Sequence, residues 1–203
     1  MQLDKTIIYS IIYTIIILVI DRTKVTKKYK FEPLKLLNYL VWFSLSIISY
    51  FIPDNRFEIM KFCSSTIITN FAYETICHPE DFWHNVHHYM TIITIIAGFK
   101  STKEKPFILE SQNIYYVAFL SSIFSSIRKL TKIKYGLEDI KTIITYHVYR
   151  VSYILSKGWG IYAHYNLIYN NLNSLNFYDK ILVGLCFLIH LLQLFFISKI
   201  IRN

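Results

Sequence analysis

Three histidines crowd the segment DFWHNVHHYMTI, residues 81–92: His84, His87 and His88. Imidazole changes protonation near neutral pH. An adjacent pair with a third ring one turn upstream is therefore equipped for general base catalysis, for acyl acceptance or for holding a metal. The segment runs on into ITIIAGF, a stretch suited to lipid. An ionisable group within such a stretch costs several kcal/mol, by order of magnitude, unless it faces a cavity or a partner. Glu74, Glu110, His147, Arg150 and His190 are further exceptions of this kind.

Helical spacing sorts these residues. His84, either His87 or His88, Thr91 and Thr94 follow i, i+3, i+4, i+7 spacing and make one polar stripe. His147 and Arg150 are three apart and share a face. The spacing predicts a polar pocket between the third, fourth and sixth apolar segments. Glu74 belongs to it, with Arg150 as a candidate partner, and Glu110 lies nearer the opposite end. His190, alone among Leu and Phe, reads as structural.

The elements that must position these groups are apolar helices. Of the 203 residues, 54% are hydrophobic, too large a share for a soluble domain of this size, and apolar runs alternate with short charged stretches along the whole chain. Crossing a hydrocarbon core takes roughly 20 helical residues, fewer where the flanks snorkel. On that measure seven spans are expected, over approximately 6–20, 36–52, 60–77, 82–99, 107–127, 141–161 and 180–200. Six remain if the first only lies at the interface. The fold class expected is thus all-α, a multi-pass transmembrane helical bundle forming one domain over 1–203. The first run lacks a small-residue cleavage site and carries Asp4, so it reads as a retained helix and not a signal peptide.

The net charge of +9 would suggest nucleic acid in a soluble protein. Here the basic residues fall between the apolar runs, which points to membrane orientation and to no nucleic-acid partner. An alternating topology puts Arg22, Lys24, Lys27, Lys28, Lys30, Lys35, Arg128, Lys129, Lys132, Lys134, Lys141, Lys199 and Arg202 on one side. Lys5, Arg56, Lys61, Lys100, Lys103, Lys105 and Lys180 fall on the other. The richer side is expected to be cytosolic, which leaves the C-terminus in the cytosol and the N-terminus outside. Cys63, Cys77 and Cys186 lie in apolar runs without CxxC spacing and read as buried thiols. Abundant Ile, Lys, Asn and Tyr fit an AT-rich genome, such as that of a protist or a large virus; a viral product would sit in a host membrane.

Two resemblances bear on the histidines. His84-x-x-His87-His88 is similar to the HxxHH box of membrane di-iron desaturases and hydroxylases, which gather many imidazoles from several boxes. This chain has seven histidines and one box. A single metal would require a third ligand from elsewhere, and the expected site is metal-free.

The second resemblance is broader. DFWHNVHHYMTI resembles the Lag motif of the TLC family, the membrane domain of ceramide synthases, TRAM and CLN-type proteins. Asp81-Phe82, His87-His88 and Thr91 match that motif. FAYE, ending Tyr73-Glu74, ILES with Glu110-Ser111, and YHVYR, ending Arg150, resemble its flanking elements in order. The TLC-like core covers about 36–200 by this reading. The Asp81–His87 gap is one residue shorter than in ceramide synthases, and their paired aspartates have no counterpart near Glu110. The match is therefore to the TLC domain more than to ceramide synthase itself.

The resemblance implies a protein of the endoplasmic reticulum or another internal membrane that acts on lipids or senses them. In its enzymatic form, acyl-CoA is a co-substrate rather than a bound cofactor. His87 or His88 would be the base or acyl acceptor, and Arg150 or His147 would stabilise the oxyanion. Glu74, Asp81, His84, Thr91 and Glu110 would contact substrate. In its non-enzymatic form the same pocket holds a membrane lipid's head group. The sequence sets no oligomeric state.

Overall fold

The computed structural model describes residues 5–23, 29, 31–79, 81–101, 110–111, 114 and 117–202. The side chains of residues 99–101 and 202 are excepted. Lys24, Lys27, Lys28, Lys30, Glu80, Lys103 and Lys105 lie outside the described residues, as does most of 102–116. Among the described residues the fold is all-helical, with seven α-helices and two short 3-10 turns. The helices are α1 Lys5–Asp21, α2 Glu32–Phe51, α3 Arg56–Cys77, α4 Phe82–Ser101, α5 Leu120–Tyr135, α6 Ile140–Asn171 and α7 Phe177–Arg202.

Two of them, over Glu32–Phe51 and Phe177–Ile201, are long and apolar enough by themselves to cross a membrane. The other expected spans need revision in two places. The fifth is expected over 107–127; of its first half Glu110, Ser111, Ile114 and Val117 are described and helical, Ala118 and Phe119 form a turn, and α5 starts at Leu120. Its 16 residues extend for about 24 Å and carry Arg128, Lys129, Lys132 and Lys134. The sixth was expected to stop near residue 161, but α6 runs 32 residues to Asn171. No proline interrupts it, and its two glycines, Gly158 and Gly160, each cost only about 1 kcal/mol in a helix.

Side-chain pairs fix how the helices run. Tyr73 of α3 donates to the Asp21 carboxylate at the end of α1 (2.6 Å), while Lys5 and Glu58 pair at the two starts (3.6 Å), so α1 and α3 are parallel. Lys129 reaches Glu32 (3.1 Å) with Tyr39 stacked on Phe119, which sets α5 antiparallel to α2. Arg128 lies over the Tyr146 and Tyr149 rings, and Lys157 of α6 reaches Ala118, setting α6 antiparallel to α5. Consecutive helices alternate in direction.

The main core joins α2, α3, α4 and α5 through Tyr39, Trp42, Ile67, Phe71, Ile95, Phe119 and Ile123. A polar ladder runs along the α2–α3 seam beside it. The Trp42 indole donates to Thr66 Oγ1 (2.9 Å), Asn38 Nδ2 to Asn70 Oδ1 (2.8 Å), and Lys35 pairs with Glu74 (3.2 Å). Positions 66, 70 and 74 are four apart, so each rung sits one turn from the next. Buried Ser46, Ser49, Ser64 and Ser65 let the two backbones approach.

The start of α2 is held from outside. Phe31, its N-cap, has φ 66°, in the left-handed region that a bulky side chain avoids. No side-chain cap supports it. Its fully buried ring stacks on His78 (4.9 Å) and tilts against Tyr73 (5.4 Å).

Candidate functional site

A cavity of about 400 Å³ opens among α2, α4, α5, α6 and α7. The alternating directions bring the starts of α2, α4 and α6 to one end together with the ends of α5 and α7. That convergence supplies its lining. Lys35, Arg128, Lys129, Lys157 and Lys199 give it five cations against one carboxylate, Asp81. His84 and His87 of α4 line it beside Tyr39, Tyr146, Tyr149 and Tyr153. Ser121, Ser122, Ser125 and Ser126 make a hydroxyl wall on α5.

Asp81 sets α4 in place. Its Oδ1 accepts from the backbone N–H of His84 (2.9 Å), three residues on, as an N-cap does. The polar stripe of α4 then faces inward as expected, and His88 is its member: His88, Thr91 and Thr94 are all buried. Thr91 donates back to the His87 carbonyl (2.8 Å), so its hydroxyl serves the helix.

The two adjacent histidines have different surroundings, because neighbours on a helix point about 100° apart. His88 is 2% exposed, stacked on Phe71 at 4.2 Å, with Thr75 Oγ1 at 3.4 Å from Nδ1 and Glu74 Oε2 at 3.8 Å from Nε2. His87 turns toward α7 and the cavity, its ring 6.5 Å from Phe196. Its buried Nδ1 has no hydrogen-bond partner among the described residues.

Several expectations need correction. The cavity does not lie between the third, fourth and sixth helices. Helix α3 contributes Glu74 behind His88, and the wall is completed by α2, α5 and α7. Glu74 pairs with Lys35 rather than Arg150. Lys35, assigned to a loop by its charge, lies in the first turn of α2 and is 4% exposed. His147 is exposed, and Arg150 donates to the Ile201 carbonyl (3.3 Å) while covering the Tyr146 ring. Neither lines the cavity; the face of α6 one residue away does so, with Tyr146, Tyr149, Tyr153 and Lys157. Glu110 bonds Arg56 and Tyr50 where α2 ends and α3 begins, away from the histidines.

Lys157 and the α5 serines escaped the sequence reading. Arg128, Lys129, Lys132 and Lys134 made α5 look like the edge of a loop. His190 is not alone either: its ring is 4.9 Å from His164, which meets Ser111 Oγ at 2.9 Å. This second cluster ties α6 to α7 and to residue 111.

No protein-family model, curated protein or solved structure matches the chain.

Proposed function

We propose that the chain is a multi-span membrane protein of TLC type that binds a phosphate-bearing amphiphile, its anionic head in the basic cavity and its chains along the helices. The observation that carries this reading is a cavity of about 400 Å³ lined by five cations and one carboxylate; with Lys35 and Lys129 paired to Glu74 and Glu32, Arg128, Lys157 and Lys199 remain to meet an anion. A cleft lined by one sign of charge concentrates ligands of the other sign. Arg and Lys suit phosphate oxygens, and the tyrosine and serine hydroxyls add hydrogen-bond donors and acceptors. The outer surface suits the tails. Ile7, Ile11, Ile12 and Ile15 on α1, and Phe187, Leu191 and Leu194 on α7, are about half exposed in a chain with two helices apolar enough to cross a bilayer.

The test is native mass spectrometry of the detergent-solubilised protein with anionic and zwitterionic phospholipids and with acyl-CoA. Retention of the phosphate-rich, anionic ligands, reduced at least tenfold by Arg128→Ala with Lys157→Ala, is the expected result. Retention of zwitterionic lipid equal to that of the anionic ligands, or anionic retention undiminished in the double variant, would refute it.

One feature favours a second, catalytic reading. His87 presents an imidazole nitrogen without a hydrogen-bond partner among the described residues at the wall of this cavity. Acyl transfer from acyl-CoA to a lipid amine needs a base where the amine attacks the thioester, and His87 is so placed. His88, committed to Phe71, Thr75 and Glu74, would position α4 rather than take the proton. Internal membranes, and a host's if the gene is viral, are the proposed location, with the C-terminus cytosolic.

A further inference from the structure

Behind the cavity wall, three potential ligands converge from two helices. Glu74 of α3 and His84 and His88 of α4 each offer one atom, and those atoms lie within 4.8 Å of one another. His84 and His88 are one turn apart on the same face, rings 4.5 Å between centroids. Glu74 and His88 are both buried.

The hydrogen bonding around His88 fixes what lies between them. Thr75 donates its hydroxyl hydrogen to the Phe71 carbonyl (2.8 Å), so toward His88 Nδ1 its oxygen can only accept. With Nδ1 turned to Thr75, Nε2 is the ring nitrogen that faces Glu74 Oε2, at 3.8 Å. Glu74 Oε2 holds the Lys35 ammonium at 3.2 Å, so a metal ion would enter by displacing that cation. The far nitrogen of a ligating histidine is usually held by an oxygen acceptor, a part that Thr75 Oγ1 can take here at 3.4 Å.

We propose that Glu74, His84 and His88 bind a divalent transition-metal ion, zinc by the chemistry of the donors. Two imidazole nitrogens and one carboxylate are a three-ligand zinc set with the fourth position open. Calcium and magnesium would require oxygen ligands. His84 also lines the cavity, so the ion borders it.

Lys35, 3.2 Å from Glu74 Oε2, has somewhere to go when the ion binds. Glu32 stands 3.9 Å away, and its buried Oε2 has no hydrogen-bond partner among the described residues. The ion takes the place of the ammonium on Glu74, and the ammonium moves to Glu32.

Zinc binding requires no lipid, so this proposal and the lipid-binding reading fail separately. The protein, purified in detergent without a polyhistidine tag and stripped with a chelator, is titrated with Zn²⁺ and desalted, and bound metal is counted. One zinc per chain is expected. His84→Ala, at the half-buried rim where folding is least at risk, loses it, whereas His87→Ala keeps it. Thr75→Val weakens binding about 10- to 100-fold. Lys35→Met, which removes the competing ammonium, binds more tightly than wild type. Substoichiometric zinc in the wild type would overturn the site, as would undiminished binding in His84→Ala or equal loss in His87→Ala. Unchanged or weaker binding in Lys35→Met would overturn the exchange with Glu32 on which it rests.

Discussion

At the residue scale, adjacency in sequence conceals opposite duties. His88 fills a buried space against Phe71, whereas His87 borders the cavity. His88→Ala should lower stability by about 2–4 kcal/mol, as truncation of a buried ring does. Thermal unfolding in detergent would show it. His87→Ala should unfold within about 1 kcal/mol of wild type, since its partly buried ring borders a cavity and packs against less. Under the acyl-transfer reading it should also lose lipid product, read by comparing the lipids of membranes that express each variant. Equal destabilisation by the two changes would contradict the division. The chemistry of this segment was legible because imidazole is rare in apolar stretches. Its partners were not. Lys35 carries the same charge as a loop lysine, and only packing shows that its stem runs inside to reach Glu74. Arg150 looked the better partner because an arginine deep in an apolar run demands an acceptor, and the nearby carbonyl of Ile201 is invisible to periodicity.

At the scale of elements, the α2–α3 seam depends on matched rungs. Asn70→Leu leaves Asn38 Nδ2 and Glu74 Oε1 each short of a bond, and should cost about 1–3 kcal/mol. Changing Asn38 to Leu in the same chain should cost less than the sum of the two single changes, because one broken bond is then counted once. A double-mutant cycle on thermal stability checks this. Between α5 and α6, Gly136 has φ 89° and ψ 176°, a conformation nearly confined to glycine. Space is not limiting, since a Cβ there would meet nothing within 4 Å. Gly136→Ala should therefore cost about 1–3 kcal/mol through backbone strain alone. Boundaries of α2, α3 and α4 were readable to within a few residues from apolar length. Those of α5 and α6 were not, because α5 carries its cations inside the helix and α6 outlasts any single bilayer crossing.

At the scale of the whole molecule, helices that alternate in direction give an odd number of crossings if all seven span. The two ends of the chain should then lie on opposite sides, with the C-terminus cytosolic. Protease access to tags placed at each end of the protein in sealed microsomes would report it, and two ends cut from the same side would refute the seven-span reading. The backbone at Phe31 bears on how such a protein is made. That residue adopts an unfavourable conformation, rewarded by burial against Ile17 and Leu34 and by the stack on His78 and Tyr73, more than forty positions downstream. A ribosome delivers α2 before those rings exist. Full support for the first turn of α2, and the carboxylate that Lys35 meets on Glu74, therefore arrive only with α3. Maturation of the charged end of this protein is thus a late event, completed by the arrival of a helix and not by the local chain.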